Sequence, residues 1–300
     1  MDKIVSYEQI QGFVGEIRSL RQGYATNFFW DEQKHPYWVK DGSLQYKKNE
    51  NCYILIHQNG SFCNLFYITT DVANAVNSIQ QLSLECDGVL DMVAKGEGKG
   101  EVENLKSIGF ETYKYLYRMS HIGQLADDNW KISPEVKFAS DADTLIIYNT
   151  LQKDFDPVCE QLPSIQEIHD YTSRKQLLVI KDGKKLCGFL IFEVSGKTSW
   201  YLRYWYTSPE YRNQRVGSRL LKTALVLGKE TKRQQLWVIS DNENAIKRYE
   251  HYGFQKEPFH DFVMIKKFTP PQCLNDAVIQ LFTLCFASCS IKQRKEVRYE

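Results

Sequence analysis

Apolar residues in this chain switch period several times, and each switch marks an element. Between Ser6 and Gln22, residues Ile10, Phe13, Val14, Ile17 and Leu20 recur at helical spacing, and Gly23 offers a stop. Tyr24 to Glu50 is polar and aromatic by turns, with a turn signal at Asp41-Gly42. Cys52–His57 and Phe62–Thr69 read as strands joined through Asn59-Gly60. Asp71 caps a predicted helix carrying Val72, Val76, Ile79 and Leu82. Val89–Val93 reads as a short strand. A charged, Gly-rich loop at 95–101 then precedes a helix at Val102–Ile108, and Gly109-Phe110 leads into an alternating strand, Thr112–Met119.

The polar stretch Gly123–Pro134 divides the chain, and the order begins again after it. Val136–Ala139 is a predicted strand. Asp141 or Asp143 caps a helix whose apolar face is Leu145, Ile146 and Leu151. A second helix covers Ser164–Arg174. Leu177–Ile180 and Lys185–Val194 form a hairpin around Asp182-Gly183, and Trp200–Tyr206 is the next strand. Then come an Arg-rich turn, a helix opening at Gly217, a short strand Leu236–Ile239, and a helix from near Asn242 to Gly253. The halves share element order, and each closes on a Gly-Phe pair followed by a strand. This is a weak internal repeat at half the chain length. Residues 270–300 lie outside it; Ala277–Cys289 reads as a docked helix, too short to span a bilayer.

Composition narrows the classes. Hydrophobic residues make up 43% and charged ones 25% of 300 residues, a globular balance with enough apolar material for a core. A net charge of +1 argues against nucleic acid or an anionic membrane surface as partner. The eight cysteines form no CxxC pair, so no metal cluster is expected. The first residues lack an apolar leader core, so free buried thiols in a reducing cytoplasm are the expectation.

Chemistry concentrates between Tyr206 and Phe254. A strand-to-helix turn aims backbone N–H groups at one spot, and the helix dipole favours negative charge there. Arg212, Arg215 and Arg219 surround that spot, with Lys222 one turn along. An ordinary helix N-terminus on a basic surface would look the same. In the next helix, Asn242, Ala245 and Tyr249 share one face, with Gly253 at the stop. A capped surface helix with a buried Tyr would also fit.

Together the two stretches resemble the GNAT superfamily of N-acetyltransferases. The coenzyme A loop of that family reads R/Q-x-x-G-x-G/A between a strand and a helix; here it is Arg212-Asn213-Gln214-Arg215-Val216-Gly217. The family's second signature, N-x-x-A-x-x-x-Y-x-x-x-G-F, is met by Asn242, Ala245, Tyr249, Gly253 and Phe254. The likeness covers about residues 136–267. It implies an α/β (α+β) fold of tandem GNAT-like domains, each a mixed, mostly antiparallel twisted sheet flanked by helices. The expected organisation is a degenerate domain over 1–125, a linker over 126–134, the acetyltransferase domain over 135–268 and a tail over 269–300. The implied reaction moves an acetyl group from acetyl-CoA, as co-substrate and without a metal, to a primary amine of a small molecule or peptide. Loop N–H groups from Gln214 to Gly217 would hold the pyrophosphate, within a cofactor site of Arg212, Asn213, Gln214, Arg215, Val216, Gly217 and Ser218, and the strand at Trp205, Tyr206 and Thr207 would pair with the carbonyl oxygen and pantetheine. Asn242 and Ala245 would line the thioester with Tyr249, which would protonate the leaving thiolate. Glu193, or else His260 or Asp261, is a candidate base. Acids at Asp154, Asp156, Glu160, Glu167 and Asp170 could attract a cationic amine, or simply face solvent.

One departure stands out: Arg215 replaces the first loop glycine. A position needing φ > 0 would cost a non-glycine about 1–2 kcal/mol, whereas one near αR would cost nothing. The first half lacks the loop altogether, offering Thr70-Asp71-Val72 in its place, and its last helix has no matching Tyr. Two rival readings remain: a non-catalytic acyl-CoA-binding or regulatory module, and a transferase using a donor such as aminoacyl-tRNA, which the near-zero charge disfavours. The oligomeric state and the acceptor are left open.

Overall fold

The computed structural model describes residues 1–123 and 129–270, and residues 1–266 form one compact unit. The expected tail helix at Ala277–Cys289, part of the expected linker, and Cys273, Cys285 and Cys289 lie outside the described residues. The first half runs β1 (Asp2–Lys3), α1 (Tyr7–Ser19), β2 (Ala25–Thr26), α2 (His35–Lys40), β3 (Leu44–Asn49), β4 (Cys52–Asn59), β5 (Phe62–Thr69), α3 (Val72–Gln80), β6 (Asp87–Lys95), α4 (Lys99–Ser107) and β7 (Glu111–Ile122). The second half runs β8 (Lys137–Phe138), α5 (Asp141–Asp154), α6 (Ile165–Ser173), β9 (Leu177–Asp182), β10 (Lys185–Ser195), β11 (Ser199–Thr207), α7 (Val216–Leu227), β12 (Arg233–Ile239), α8 (Glu243–His251) and β13 (Gln255–Lys266).

Local chemistry sets the helix ends. Ser6 caps α1 by accepting from the Gln9 N–H, and Asp71 caps α3 by accepting from Asn74. The cap of α5 is Ser140 rather than Asp141 or Asp143: Asp143 Oδ2 reaches back to the Ser140 N–H at 2.9 Å. The buried face of α5 also differs from the expectation. Thr144, Ile147 and Leu151 pack inward, while Leu145 and Ile146 are exposed. The reason is a stripe offset by one residue, with Thr standing in for an apolar residue. The Tyr24–Glu50 region holds β2, α2 and β3, of which the sequence pattern showed none.

All thirteen strands among the described residues join one sheet, in the order β1-β3-β4-β5-β6-β13-β7-β12-β11-β10-β9-β8, with β2 alongside β5. Most pairs are antiparallel; β5 with β6 and β11 with β12 are parallel. The centre of the sheet is an exchange. β7, the last strand of the first half, pairs with β12 of the second half; β13, the last strand of the second half, pairs with β6 of the first. The exchanged strands also pair with each other, and both follow a left-handed glycine and a buried phenylalanine: Gly109-Phe110 before β7 and Gly253-Phe254 before β13. The register of this pair slips where Glu257, Pro258 and Phe259 bulge out opposite Arg118. Arg118 fills the bulge, with its guanidinium 4.2 Å from the Phe259 ring and 2.6 Å from Glu257 Oε2; Arg233 grips the other Glu257 oxygen.

Each half buries both faces of its sheet, so its central strands are apolar throughout. In the second half, Leu190, Phe192, Trp200 and Leu236 pack under α7 and α8, while Leu177, Val179, Phe189 and Ile191 pack under α5 and α6. Trp200 is fully buried against Gly228 at the end of α7, where any side chain would collide with its ring. The halves also meet through side chains: Tyr37 of α2 donates to Asp170 of α6, and the buried Lys34 donates to Gln161 Oε1 at 3.0 Å.

Candidate active site

β11 hands over to α7 through a single 3-10 turn, Pro209–Tyr211, and the loop 212–215. Asn213 and Arg215 both lie in the left-handed region, at φ 64° and 60°. The position where the family carries glycine therefore does require positive φ, and Arg215 bears the strain of about 1–2 kcal/mol. The first intrahelical bond of α7 is Arg219 N–H to Arg215 O, so the N–H groups of Val216, Gly217 and Ser218 have no acceptor within the helix. Its N-cap makes no side-chain bond either. The result is an uncapped helix N-terminus, suited to an anion.

The cations around it divide. Arg212 and Arg215 are exposed and form no ion pair among the described residues. Arg219 is held 2.8 Å from Glu135, and Lys222 lies over the Trp130 ring. The Gln214 side chain donates back to Glu210 O, leaving its main chain as the part facing the loop. Gly217 serves close packing: a Cβ there would meet Thr207 Oγ1 at 3.0 Å and the Trp205 ring at 3.1 Å. Ser218 ties α7 to α8 through Tyr252, at 2.7 Å.

β11 and β12 pair only from Ser199↔Arg233 to Leu202↔Leu236, although β11 runs on to Thr207 and β12 to Ile239. Beyond Leu202 they splay, and β11 keeps only its β10 neighbour. A bulge at Arg203 accompanies the splay, because Ile191 faces Tyr204 while Phe192 faces Leu202. The extra residue shifts the alternation. Trp200, Leu202 and Trp205 thereby share the α7/α8 side, while Tyr204 and Tyr206 join the α5/α6 side. Between the splayed ends lies a cavity of about 190 Å³ lined by Leu202, Arg203, Tyr204, Trp237, Glu160 and Asp261 among others.

Tyr249 reaches this region from α8. Its ring packs 5.6 Å from Trp205 and 6.0 Å from Phe254, and its hydroxyl makes no hydrogen bond among the described residues. Burial, reinforced by the negative charge of Glu160, pushes that hydroxyl well above the usual phenol range. Ala245 lies half-buried beside the same core. Asn242 is exposed and caps α8, its Oδ1 accepting from the Ala245 N–H at 3.2 Å.

The candidate bases sit differently. Glu193 accepts from the Tyr171 hydroxyl at 2.6 Å and pairs with Arg203 Nε at 3.3 Å. His260 Nδ1 sits 2.6 Å from Gly96 O. Asp261 lines the cavity with its Oδ1 buried and unpartnered; burial, then the neighbouring Asp91, hold its carboxyl well above the ordinary carboxylate range. Glu160 has one oxygen fixed, Oε2 accepting from the Asp156 N–H at 2.8 Å, and burial raises its pKa to about 6. The sequence marked Glu160 as one of several acids. The roles of Arg203, Gln161 and Asp91 carried no signal there, because the bulge and the strand exchange place them.

The first half has the same splay, since β5 and β6 pair only from Phe62↔Asp87 to Asn64↔Val89. Here the gap is filled by the chain itself. Asn27 donates to Leu65 O and Asp91 O and accepts from the Tyr67 N–H, and β2 pairs with the freed edge at Ile68 and Thr69. The head of the equivalent helix, α3, is already capped by the Asp71 carboxylate. No described group of His, Cys, Asp or Glu in either half could hold a metal ion, and no described helix is long and apolar enough to cross a membrane.

A search of curated proteins gives no match. Among solved structures, a GCN5-related N-acetyltransferase from Sphaerobacter thermophilus superposes with TM-score 0.52 at 10% identity, covering 78% of this chain and 86% of that one. An acetyltransferase of the GNAT family from Colwellia psychrerythraea gives 0.50 at 14% identity, covering 85% and 97%. A tandem GNAT protein from the clavulanic acid biosynthesis pathway gives 0.50 at 11%, covering 74% and 80%. At such identities the likeness is one of fold. The sequence profile of the acetyltransferase (GNAT) family, however, matches residues 145–254, which take in the uncapped head of α7, the splayed strands and Tyr249. Over those residues, then, this chain is an acetyltransferase domain of the GNAT family.

Proposed function

We propose that this protein transfers an acetyl group from acetyl-CoA to a primary amine of a small molecule or peptide. The observation that carries this reading is the pairing of two open features on one half: the uncapped head of α7 and the unpaired edge of β11. Their equivalents in the first half are both closed, by Asp71 and by Asn27 with β2. One acetyl-CoA per chain follows. Main-chain N–H groups over 213–218, with Arg212 and Arg215, hold the pyrophosphate. The edge Trp205–Thr207 bonds the pantetheine, and Gly217 lets α7 come close enough to that edge. Asn242 and Ala245 form the end of α8 that faces the thioester. Tyr249, kept protonated by burial, gives its proton to the departing thiolate. Glu193 acts on this site through Arg203. The first half supplies Lys34, Asp91 and β7 to the acceptor side, where they back the cavity and its loop.

The test is Tyr249→Phe in the full chain. Calorimetry is expected to show unchanged acetyl-CoA affinity, while thiol release on a panel of amines falls by about 100- to 10,000-fold. Acetyl-CoA binding with no turnover of any amine by the wild type would instead favour a binding module, a reading that the strained Arg215 alone supports. No binding at all defeats both.

A further inference from the structure

Resting on the acetyl-transfer reading, we propose that Glu160 is the general base that takes the proton from the acceptor amine. Glu160 lies in the loop between α5 and α6 and lines the cavity that opens between the splayed ends of β11 and β12. One oxygen is anchored on the Asp156 N–H at 2.8 Å; the other, Oε1, accepts no hydrogen bond among the described residues. The loop is itself fixed, because the Tyr204 hydroxyl sits 3.0 Å from Glu160 O and 2.9 Å from Gln161 O. The negative charge of Glu160 also acts on the Tyr249 hydroxyl, helping to keep it protonated. Glu193, by contrast, has its charge engaged by Tyr171 and Arg203.

Several groups surround Glu160: Asp156 and Cys159 on its own loop, Lys114 on β7, Tyr201, Arg203 and Tyr204 on β11, Tyr249 on α8 and Asp261 on β13. Burial outweighs Lys114 and the Asp156 N–H, and the carboxyl titrates at about 6. It is ionised at neutral pH yet basic enough to accept a proton.

Glu160 Oε1 takes one proton from the ammonium. The freed lone pair attacks the thioester carbonyl carbon, forming C–N. The C–S bond breaks, and the thiolate takes the Tyr249 proton. The second nitrogen proton restores Tyr249. The products are an amide, a thiol and one proton released from Glu160.

Two amines of like size separate the outcomes: ethylamine, a cation at neutral pH, and 2,2,2-trifluoroethylamine, whose fluorines leave it largely neutral. Glu160→Gln is expected to keep wild-type acetyl-CoA affinity and to lose about 100- to 10,000-fold in kcat/KM on ethylamine, but less than about 10-fold on the fluorinated amine. The acidic limb of the wild-type pH profile, near 6, should vanish in Glu160→Gln and persist in Glu193→Gln. Glu160→Asp should recover part of the rate. Equal losses on both amines, or an acidic limb removed by Glu193→Gln instead, would overturn the assignment. A wild type that binds acetyl-CoA and acetylates neither these two amines nor any other amine of the panel would take down the transfer reading, and Glu160 with it.

Discussion

Arg215 holds a conformation that glycine adopts at no steric cost. Its guanidinium, however, adds a free cation beside the head of α7. The two effects separate in Arg215→Gly. Relief of about 1–2 kcal/mol of strain is offset by roughly 0.4–1 kcal/mol of added freedom in the unfolded chain, so stability should hold or rise by up to about 1.6 kcal/mol. Acetyl-CoA binding should weaken modestly and become less sensitive to salt, because one screened charge contact is gone. Urea midpoints and calorimetry at two ionic strengths check both. A variant clearly less stable than the wild type would mean that Arg215 is held by contacts beyond its backbone.

At the scale of elements, Glu257 pins the exchanged strands, gripped by Arg118 of β7 and Arg233 of β12. Burial pushes its carboxyl up, but hydrogen bonds from Ser120, Arg233 and Arg118 together outweigh burial and hold it below the ordinary value. A depressed folded pKa means stability that is present in full above the unfolded value of about 4.3 and lost as pH falls through the folded one. Glu257→Gln should therefore cost about 1.5–3 kcal/mol at neutral pH, with the gap to wild type closing as pH drops below about 4. Urea titrations between neutral and acid pH measure it; a gap independent of pH would refute the assignment. This cluster has no local signature in the sequence. The apolar runs of β4, β5 and β10 and the cap Asp71 were legible because period and capping are local. β3, Leu44–Asn49, hid because only Leu44 and Tyr46 are apolar, and Gln45, Lys47, Lys48 and Asn49 leave no alternating run to read. The partner of β13 was invisible, since alternation fixes which face of a strand is buried and not which strand lies beside it. Within the candidate site, Tyr249 and the loop were singled out by the family resemblance. Arg203 could not, because only the bulge turns it into the cavity.

For the whole molecule, the exchange makes neither half self-sufficient. A chain beginning at Pro134 would lack β7 and leave β12 and β13 with bare edges. Expressed alone, it should aggregate or fail to acetylate, and co-expression with residues 1–133 should restore a soluble 1:1 complex with activity. Size-exclusion chromatography and the thiol-release assay decide; a stable, fully active fragment would show that the first half is dispensable. The same topology dictates a schedule at the ribosome. β6 is complete at Lys95, but the strand that covers its edge ends roughly 170 residues later, an interval of about 10–35 s at ordinary elongation rates. For that time the nascent first half carries an open strand edge, and β13 covers it by inserting between β6 and β7.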